Sequence, residues 1–485
     1  MKSYLQHQLL TLLFLGLTSC APWNAETRKV GTSGLQNVAD SAYIESHRKI
    51  GPNYGCSFIE FDGKGGFLDY GQYQHALAKL DELKARSDVL LVIYCHGWNN
   101  NPQSGDVIRF VGFLRRLADS GSIRAKHLRV EGVYLAWRGS QYLPVASRDD
   151  QAEERALEPD FGGPLVDTRW HNSGSVGLLL SPAKYLSYWA IKDRAEFHVS
   201  RVPLSRAVFG LAFNLKSPSE SRKGRQHRVF ILGHSFGALL LEQAIGQASV
   251  GLLMSEWTRD KSDARWPFDL IVFLNSAAPS LYAKQLGEFL QYDHRRTAKP
   301  RIVSITSTGD WATGIFHPLG NAFKRFAPDL QRQYYPNGKY KEPVPAWRYY
   351  DRTPGHNSDL INHVVTEDHN ADKPNLVDDD AVFSWNLRET NPANVFFTRS
   401  RLDGKLQAWE IMDLTKNAER GSEKYAQKKY ASNYWIATVP PDIVKDHTDI
   451  WSAPCMEMLA GVYRTVEQLG QQPAPAQPKA SMQAD

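Results

Sequence analysis

The chain has 485 residues, 42% of them hydrophobic and 22% charged, with a formal net charge of +5. That is enough apolar sequence for one large core or two smaller ones. The weak positive balance, with no Lys- or Arg-rich stripe interleaved with aromatics, gives nucleic-acid binding no support. The four cysteines (Cys20, Cys56, Cys95 and Cys455) form no C-x-x-C pair, and no H-E-x-x-H is present. The sequence therefore offers no metal-ligand spacing and calls for no cofactor.

At the N-terminus, Met1-Lys2 and the apolar run Leu9–Leu17 read as a signal peptide, since the run is too short to span a bilayer comfortably. It ends in Leu17-Thr18-Ser19-Cys20-Ala21, which resembles the lipobox of bacterial lipoproteins. That resemblance implies removal of residues 1–19 and acylation of the Cys20 sulfur. It further implies anchoring in a bacterial cell envelope; Ala21 after the cysteine resembles an outer-membrane sorting signal. Residues 20–55 are polar and irregular and are expected to form a tether. Once Cys20 is acylated, three cysteines remain, so an oxidising compartment leaves at least one thiol free or paired between molecules; Cys95 reads as a small buried hydrophobe.

Beyond the tether, Cys56–Asp62 is predicted as an edge strand and Tyr70–Ala85 as an amphipathic helix. Asp88–Cys95 (DVLLVIYC) is the strongest buried-strand pattern and runs into His96-Gly97-Trp98-Asn99-Asn100. A helix over Gly105–Ser120 and a strand over Leu128–Trp137 follow. Strands alternating with helices at this spacing predict a mostly parallel sheet covered on both faces. An insertion is expected at about 139–226. It opens with charged, loop-like sequence (RDDQAEERALEPD), and a helix is predicted around Tyr188–Val199. The remainder, with Leu179, Leu180, Tyr185, Tyr188 and Trp189, is rich in apolar side chains that would suit a cap over an apolar substrate, although ordinary helix–sheet packing explains the helix itself.

The most informative stretch is Arg228–Leu240, RVFILGHSFGALL. Val229–Leu232 reads as a strand buried on both faces. Gly233-His234-Ser235-Phe236-Gly237 matches G-x-S-x-G, and Ala238-Leu239-Leu240 begins an apolar helix. A serine at such a tight strand-to-helix turn needs small residues two positions away on either side. The turn exposes the Ser235 hydroxyl and aims the N–H of Phe236 at the oxyanion of an acyl intermediate.

On these residues the chain resembles the α/β-hydrolase superfamily, and more narrowly its serine esterases and lipases. It looks closest to uncharacterised bacterial hydrolases with a His-Gly-x-Asn loop and a Gly-His-Ser-Phe-Gly elbow. The resemblance covers about residues 56–469. It implies Ser235 as nucleophile and a second oxyanion donor in the N–H of Trp98, with Gly97 permitting close approach and His96 structural. Strands are predicted over Asp269–Leu274 and Arg301–Ile305. Asp310, in the loop after the second of these, sits where the resemblance places the orienting carboxylate, although a turn or N-cap role would also suit it.

The base must then follow Asp310 in the chain, and His317, His356, His363, His369 and His447 are candidates. His447 lies in a short loop between a last strand, Tyr434–Val439, and a terminal helix from about Ser452 to Leu469. That is where the resemblance places the base, with His363 next in line. The long polar and aromatic insertion at about 319–433 separates acid from base. Within it Asp368, Asp372 and Asp378-Asp379-Asp380 lack calcium-loop spacing and read as a solvated acidic surface, whereas Tyr349 through His363 are candidates to line a substrate pocket. Residues 470–485 read as a disordered tail. The expected activity is cleavage of a carboxylic ester, lipid or other, at a membrane. Acyl transfer on the same fold and a catalytically silent binding lipoprotein remain as alternatives.

Overall fold

Among the described residues, eleven strands make one sheet in the computed structural model of the protein. The structure describes residues 28–31, 38–98, 100–139, 148–166, 191–192, 194–200, 202–217, 224–246, 266–291, 300–318, 347–367, 395–402, 405–413 and 434–471. Residues 1–19 (expected to be a signal peptide), Cys20, Asn99, the cap candidates Leu179, Leu180, Tyr185, Tyr188 and Trp189, His369, the acidic residues from Asp368 to Asp380 and the tail beyond 471 lie outside these residues.

The strands are β1 (Tyr43–Glu45), β2 (Tyr54–Glu60), β3 (Val89–Cys95), β4 (Arg129–Ala136), β5 (Arg228–His234) and β6 (Leu270–Leu274). β7 (Ile302–Ser307), β8 (His363–Glu367), β9 (Val395–Leu402), β10 (Lys405–Asp413) and β11 (Tyr434–Val439) complete them. Their order is β1-β2-β4-β3-β5-β6-β7-β11-β8-β10-β9. From β2 across to β8 every neighbouring pair is parallel, and antiparallel pairing is confined to β1 and to β10 with its two neighbours. Parallel strands need crossovers, and helices supply them. Among the described residues the longer helices are α1 (Tyr70–Arg86), α2 (Gly105–Asp119), α3 (Arg148–Phe161), α4 (Val202–Leu215), α5 (236–246), α6 (Ser280–Gln291) and α7 (Ala453–Gln471).

Residue alternation along the strands divides the core in two. Leu90, Val92 and Tyr94 of β3 and Phe230 and Leu232 of β5 pack with Phe110, Leu114 and Leu459 from α2 and α7. Leu91, Ile93 and Cys95 of β3 and Val229 and Ile231 of β5 pack on the other side with Leu80, Leu211 and Leu241 from α1, α4 and α5. Each fully buried Leu, Ile or Phe contributes about 1.5–3 kcal/mol relative to exposure. The central strands, buried on both faces, therefore form the rigid part of the molecule. This is an α/β fold with a mostly parallel sheet between helical layers.

Several expectations are corrected. Cys56–Asp62 is not at the edge, because β1 pairs outside β2. Part of the expected tether thus belongs to the domain, and Arg28 is itself buried. A three-residue strand has too little pattern to be read from sequence. The charged stretch after residue 147 is helix α3 rather than loop. Its inner face carries Asp150, Glu154 and Asp160 beside Leu157 and Phe161, all buried. Asp150 pairs with Arg109, and Glu154 accepts the N–H groups of Leu165 and Val166 at 3.1 and 3.2 Å. A helix that buries paired carboxylates lacks the apolar stripe by which amphipathic helices are recognised. The helix predicted around Tyr188–Val199 is present in its described residues, α-helical at 191–192 and 194 and π-helical at Ala195–Val199, and a further helix, α4, lies between it and β5. The second insertion joins the sheet itself, contributing β8, β9 and β10.

Under the sheet, Glu242 of α5 is fully buried, with Tyr434 Oη donating to Oε1 at 3.2 Å and Ser276 Oγ to Oε2 at 3.3 Å. Burial pushes its carboxyl up to about 8, an effect the two hydrogen bonds offset only in part. Because the folded value lies above the unfolded one, this group's stabilising contribution is complete below the unfolded carboxylate range. It is lost as pH rises through about 8. Glu242→Gln is therefore expected to match the parent in urea unfolding near pH 4 and to exceed it in stability at alkaline pH. Parallel pH profiles for the two proteins would refute this.

Candidate active site

The parallel register brings the strand ends to one level. Cys95 pairs with Gly233, His234 with Leu274, and Leu274 with Ile305. The residues that follow these ends therefore meet at one edge of the sheet. After β5 the chain turns at once into α5, and Ser235 takes φ 55°, in the left-handed region. Side chains other than glycine rarely adopt that conformation, and the surroundings must hold it there. Ser235 N–H donates to Leu274 O at 3.0 Å, while its carbonyl accepts from Leu239 N–H at 3.1 Å and Ala277 N–H at 3.2 Å. Gly237 is required by proximity, because a Cβ there would lie 2.1 Å from Cys95 O and 2.4 Å from His96 O. A Cβ on Gly233 would lie 2.8 Å from Ala238 Cα.

Ser235 Oγ donates to His447 Nε2 at 2.7 Å. His447 Nδ1–H lies 3.0 Å from both oxygens of Asp310 and donates to that carboxylate. The bond fixes the tautomer, leaving Nε2 free to accept from the serine. Asp310 is 1% exposed. It also accepts from Thr313 N–H at 3.0 Å and Thr313 Oγ1–H at 2.5 Å. Burial acts to raise its pKa, but the His447 charge and the donors from His447 and Thr313 outweigh it, and the net effect holds the carboxyl below its ordinary value. Asp310 is thus an anion throughout the mildly acidic and neutral range. A Cβ on Gly309 would lie 2.4 Å from Lys445 O, so glycine lets the acid loop pass under the loop that carries His447.

The loop after β3 lies over Ser235: a Cβ on Gly97 would sit 2.9 Å from Ser235 Cβ and 2.8 Å from His234 Nδ1. His96 is fully buried and structural. Its Nδ1–H donates to Gly97 O at 2.9 Å, its Nε2 accepts Trp137 N–H at 3.1 Å, and its carbonyl accepts Trp137 Nε1–H at 2.8 Å. The two rings stack with an interplanar angle of 8°. This pins the loop to the end of β4, with half-buried Trp98 following Gly97. Phe236 follows Ser235 as the first residue of α5, at the N-terminal turn of that helix.

The other described candidates for the base, His317, His356 and His363, have partners elsewhere. His317 Nε2–H donates to Tyr350 O at 3.2 Å, and His363 Nδ1–H donates to Asn362 Oδ1 at 2.7 Å with its ring stacked on Trp435. His356 accepts from Thr353 Oγ1 at 2.9 Å and lies beside Thr313, behind the acid. The stretch from Tyr349 to His363 packs on the start of α6, where Ser280 N–H donates to Arg352 O at 2.7 Å and Ser280 Oγ–H to Tyr349 O at 2.9 Å. Through His356 it also backs Thr313, 3.4 Å away, whose hydroxyl donates to Asp310.

Two polar residues at the site escaped the sequence reading. His234 Nε2–H donates to the main-chain carbonyl of His447 at 2.8 Å, and Asn275 Nδ2 reaches Asp446 O at 3.1 Å and His447 O at 3.3 Å. Both follow predicted strands, but their partners are backbone atoms more than 170 residues away. A faint signal was present at Asn275, a polar residue ending an apolar strand, where its φ is 44°.

Cys56, Cys95 and Cys455 are buried free thiols. Among the described residues no group of three or more His, Cys, Asp or Glu side chains is placed to hold a metal ion. No helix among them is long and apolar enough to cross a membrane.

No family model matches the chain, and no curated protein matches it. Among solved structures, a similar chain is an uncharacterized protein from Pseudomonas aeruginosa, 9% identical with a TM-score of 0.20. The match covers 52% of this chain and 42% of that one, so this chain spans under half of that neighbour's length.

The carboxylate's part in this arrangement can be measured directly. Asp310→Asn preserves shape but replaces one acceptor with a donor facing His447 Nδ1. Reaction of Ser235 with a fluorophosphonate should then slow by about 10³–10⁴-fold with little change in thermal stability. A rate within threefold of the parent's, on the order of 0.6 kcal/mol, would exclude Asp310 as the orienting group.

Proposed function

We propose that the protein is a serine hydrolase of the α/β-hydrolase type that cleaves a carboxylic ester through an acyl-enzyme on Ser235. The observation that carries this reading is the continuous hydrogen-bond chain from Ser235 through His447 to buried Asp310, with the serine in left-handed backbone between a buried parallel strand and a helix. Both this geometry and the chain order Ser…Asp…His agree with a nucleophile elbow.

In this mechanism Ser235 Oγ attacks the ester carbonyl carbon while His447 Nε2 takes the hydroxyl proton. Asp310 stabilises the resulting imidazolium without itself becoming protonated. The N–H groups of Phe236 and Trp98 receive the oxyanion, the former reinforced by the N-terminal end of α5. His447 then gives its proton to the leaving alcohol. A water enters, is deprotonated by the same nitrogen, attacks the acyl carbon and releases the acid with Ser235 restored.

The membrane reading rests on Cys20 and acquires a geometric complement from Arg28, eight residues later in the chain. The Arg28 guanidinium lies 3.7 Å over the Phe58 ring and donates to Leu165 O at 2.7 Å and Pro102 O at 3.1 Å. Its main-chain N–H donates to Glu60 Oε1 at 2.8 Å. Glu60 ends β2, so Arg28 is fixed at the same end of the sheet as Ser235. β5 is three strand steps from β2, or about 14 Å. Eight residues reach at most about 28 Å. A lipid on Cys20 would therefore hold the active-site end of the domain close to the bilayer, which favours an ester presented at the membrane.

Steady-state hydrolysis of nitrophenyl esters of increasing acyl length tests the reaction. The parent is expected to turn over, and Ser235→Ala to lose about 10³-fold or more. Turnover unchanged in Ser235→Ala would overturn the proposal. Cys20→Ser should release the protein from the membrane fraction without altering turnover of a soluble short-chain ester.

A further inference from the structure

We propose that His234, the residue preceding the nucleophile, is a positioning residue whose Nε2–H holds the main-chain carbonyl of His447, so that the elbow presenting Ser235 also sets the place of its base. The inference rests on Ser235 and His447 working as nucleophile and base, and it assigns the means by which their separation is kept.

The carbonyl of His447 can only accept, so the 2.8 Å contact puts the His234 proton on Nε2. Nδ1 is then an unprotonated acceptor. It is buried without a hydrogen-bond partner and faces Gly97. A second proton there would be an N–H with no acceptor, directed at the Gly97 backbone. The titratable groups around this ring are His447, His96 and Asp310. Burial, reinforced by the His447 charge, lowers the His234 pKa to about 3. The residue is therefore neutral in one tautomer, a fixed donor rather than a second proton carrier.

That donor matters because of how His447 is supported. Its loop leaves the sheet after β11 and is held by side chains from three neighbouring strand ends. Ser307 Oγ–H, at the end of β7, donates to Val444 O at 2.5 Å. Asn275, after β6, donates to Asp446 O and, at 3.3 Å, to His447 O, while its Oδ1 accepts Ser307 N–H at 2.9 Å. His234, at the end of β5, makes the shorter bond to the His447 carbonyl. The side chain of His447 is then fixed at both ends: its backbone by His234 and Asn275, its ring by Asp310. Any displacement of the elbow carries the clamp with it, so the 2.7 Å Ser235–His447 bond is maintained by covalent adjacency.

Glutamine places an N–H₂ donor the same number of bonds from Cα as His234 Nε2, whereas leucine and phenylalanine supply none. The purified full chain and its His234→Gln and His234→Leu variants are compared by two readouts, with His234→Phe replacing the leucine variant if that one does not fold. One readout is the rate of fluorophosphonate labelling. The other is solvent exchange of the downfield Nδ1 proton of His447, assigned by its loss in His447→Gln. The glutamine variant is expected to keep both near parental values. The leucine variant should label about 10- to 100-fold more slowly, as for loss of one buried hydrogen bond, and its ring proton should exchange rapidly at unchanged thermal stability. Parental exchange in the leucine variant, or a glutamine variant as impaired as leucine, overturns the proposal. A parent that takes up no label would defeat the hydrolase reading alone, since the ring proton reports the clamp without turnover.

Discussion

A left-handed residue at the end of a buried parallel strand is the constraint on which the rest of this structure depends. Ser235 pays a conformational penalty of about 1–3 kcal/mol for φ 55°. The penalty is offset because the strand before it and the helix after it are both locked in the core. Gly233 and Gly237 follow from it, since side chains at either position would collide with Ala238 or with the Cys95 and His96 carbonyls. So does Gly97, whose missing side chain leaves the space that Ser235 and His234 occupy. The sheet fixes where the hydroxyl is, and the turn fixes where it points.

The remaining parts of the site arrive by a different route. Asp310 and His447 come from loops over 130 residues apart in sequence, separated by a segment that includes β8, β9 and β10. Their meeting depends on β7 and β11 lying side by side, with Ser307 paired to Val439. From those strand ends the Asp310 loop passes under the His447 loop at Gly309, and Thr313 holds the carboxylate from the other side. Rigid strands set the coarse placement, while hydrogen bonds to main-chain carbonyls set the fine one. Under the proposed reaction, this division would hold the reacting atoms to a few tenths of an ångström.

The sequence made the central strands legible because parallel strands buried on both faces read as unbroken apolar runs, as in VLLVIYC and RVFIL. The elbow was legible because its glycines are dictated by backbone proximity. Asp310 and His447 were legible through chain order and their position after strands. β1 was hidden by its three-residue length, and α3 by a buried face made of paired carboxylates. His234 and Asn275 were hidden for another reason. Their partners are carbonyl oxygens, which every residue possesses, so only the folded chain identifies which oxygen is bound.

The most direct test of the central claim is mass spectrometry of the full chain after reaction with a fluorophosphonate, followed by peptide mapping of the adduct. One phosphonyl group per chain, located on Ser235 and formed far more slowly in His447→Ala, is the predicted result. A folded parent that gains no mass, or an adduct on another residue, would contradict the account.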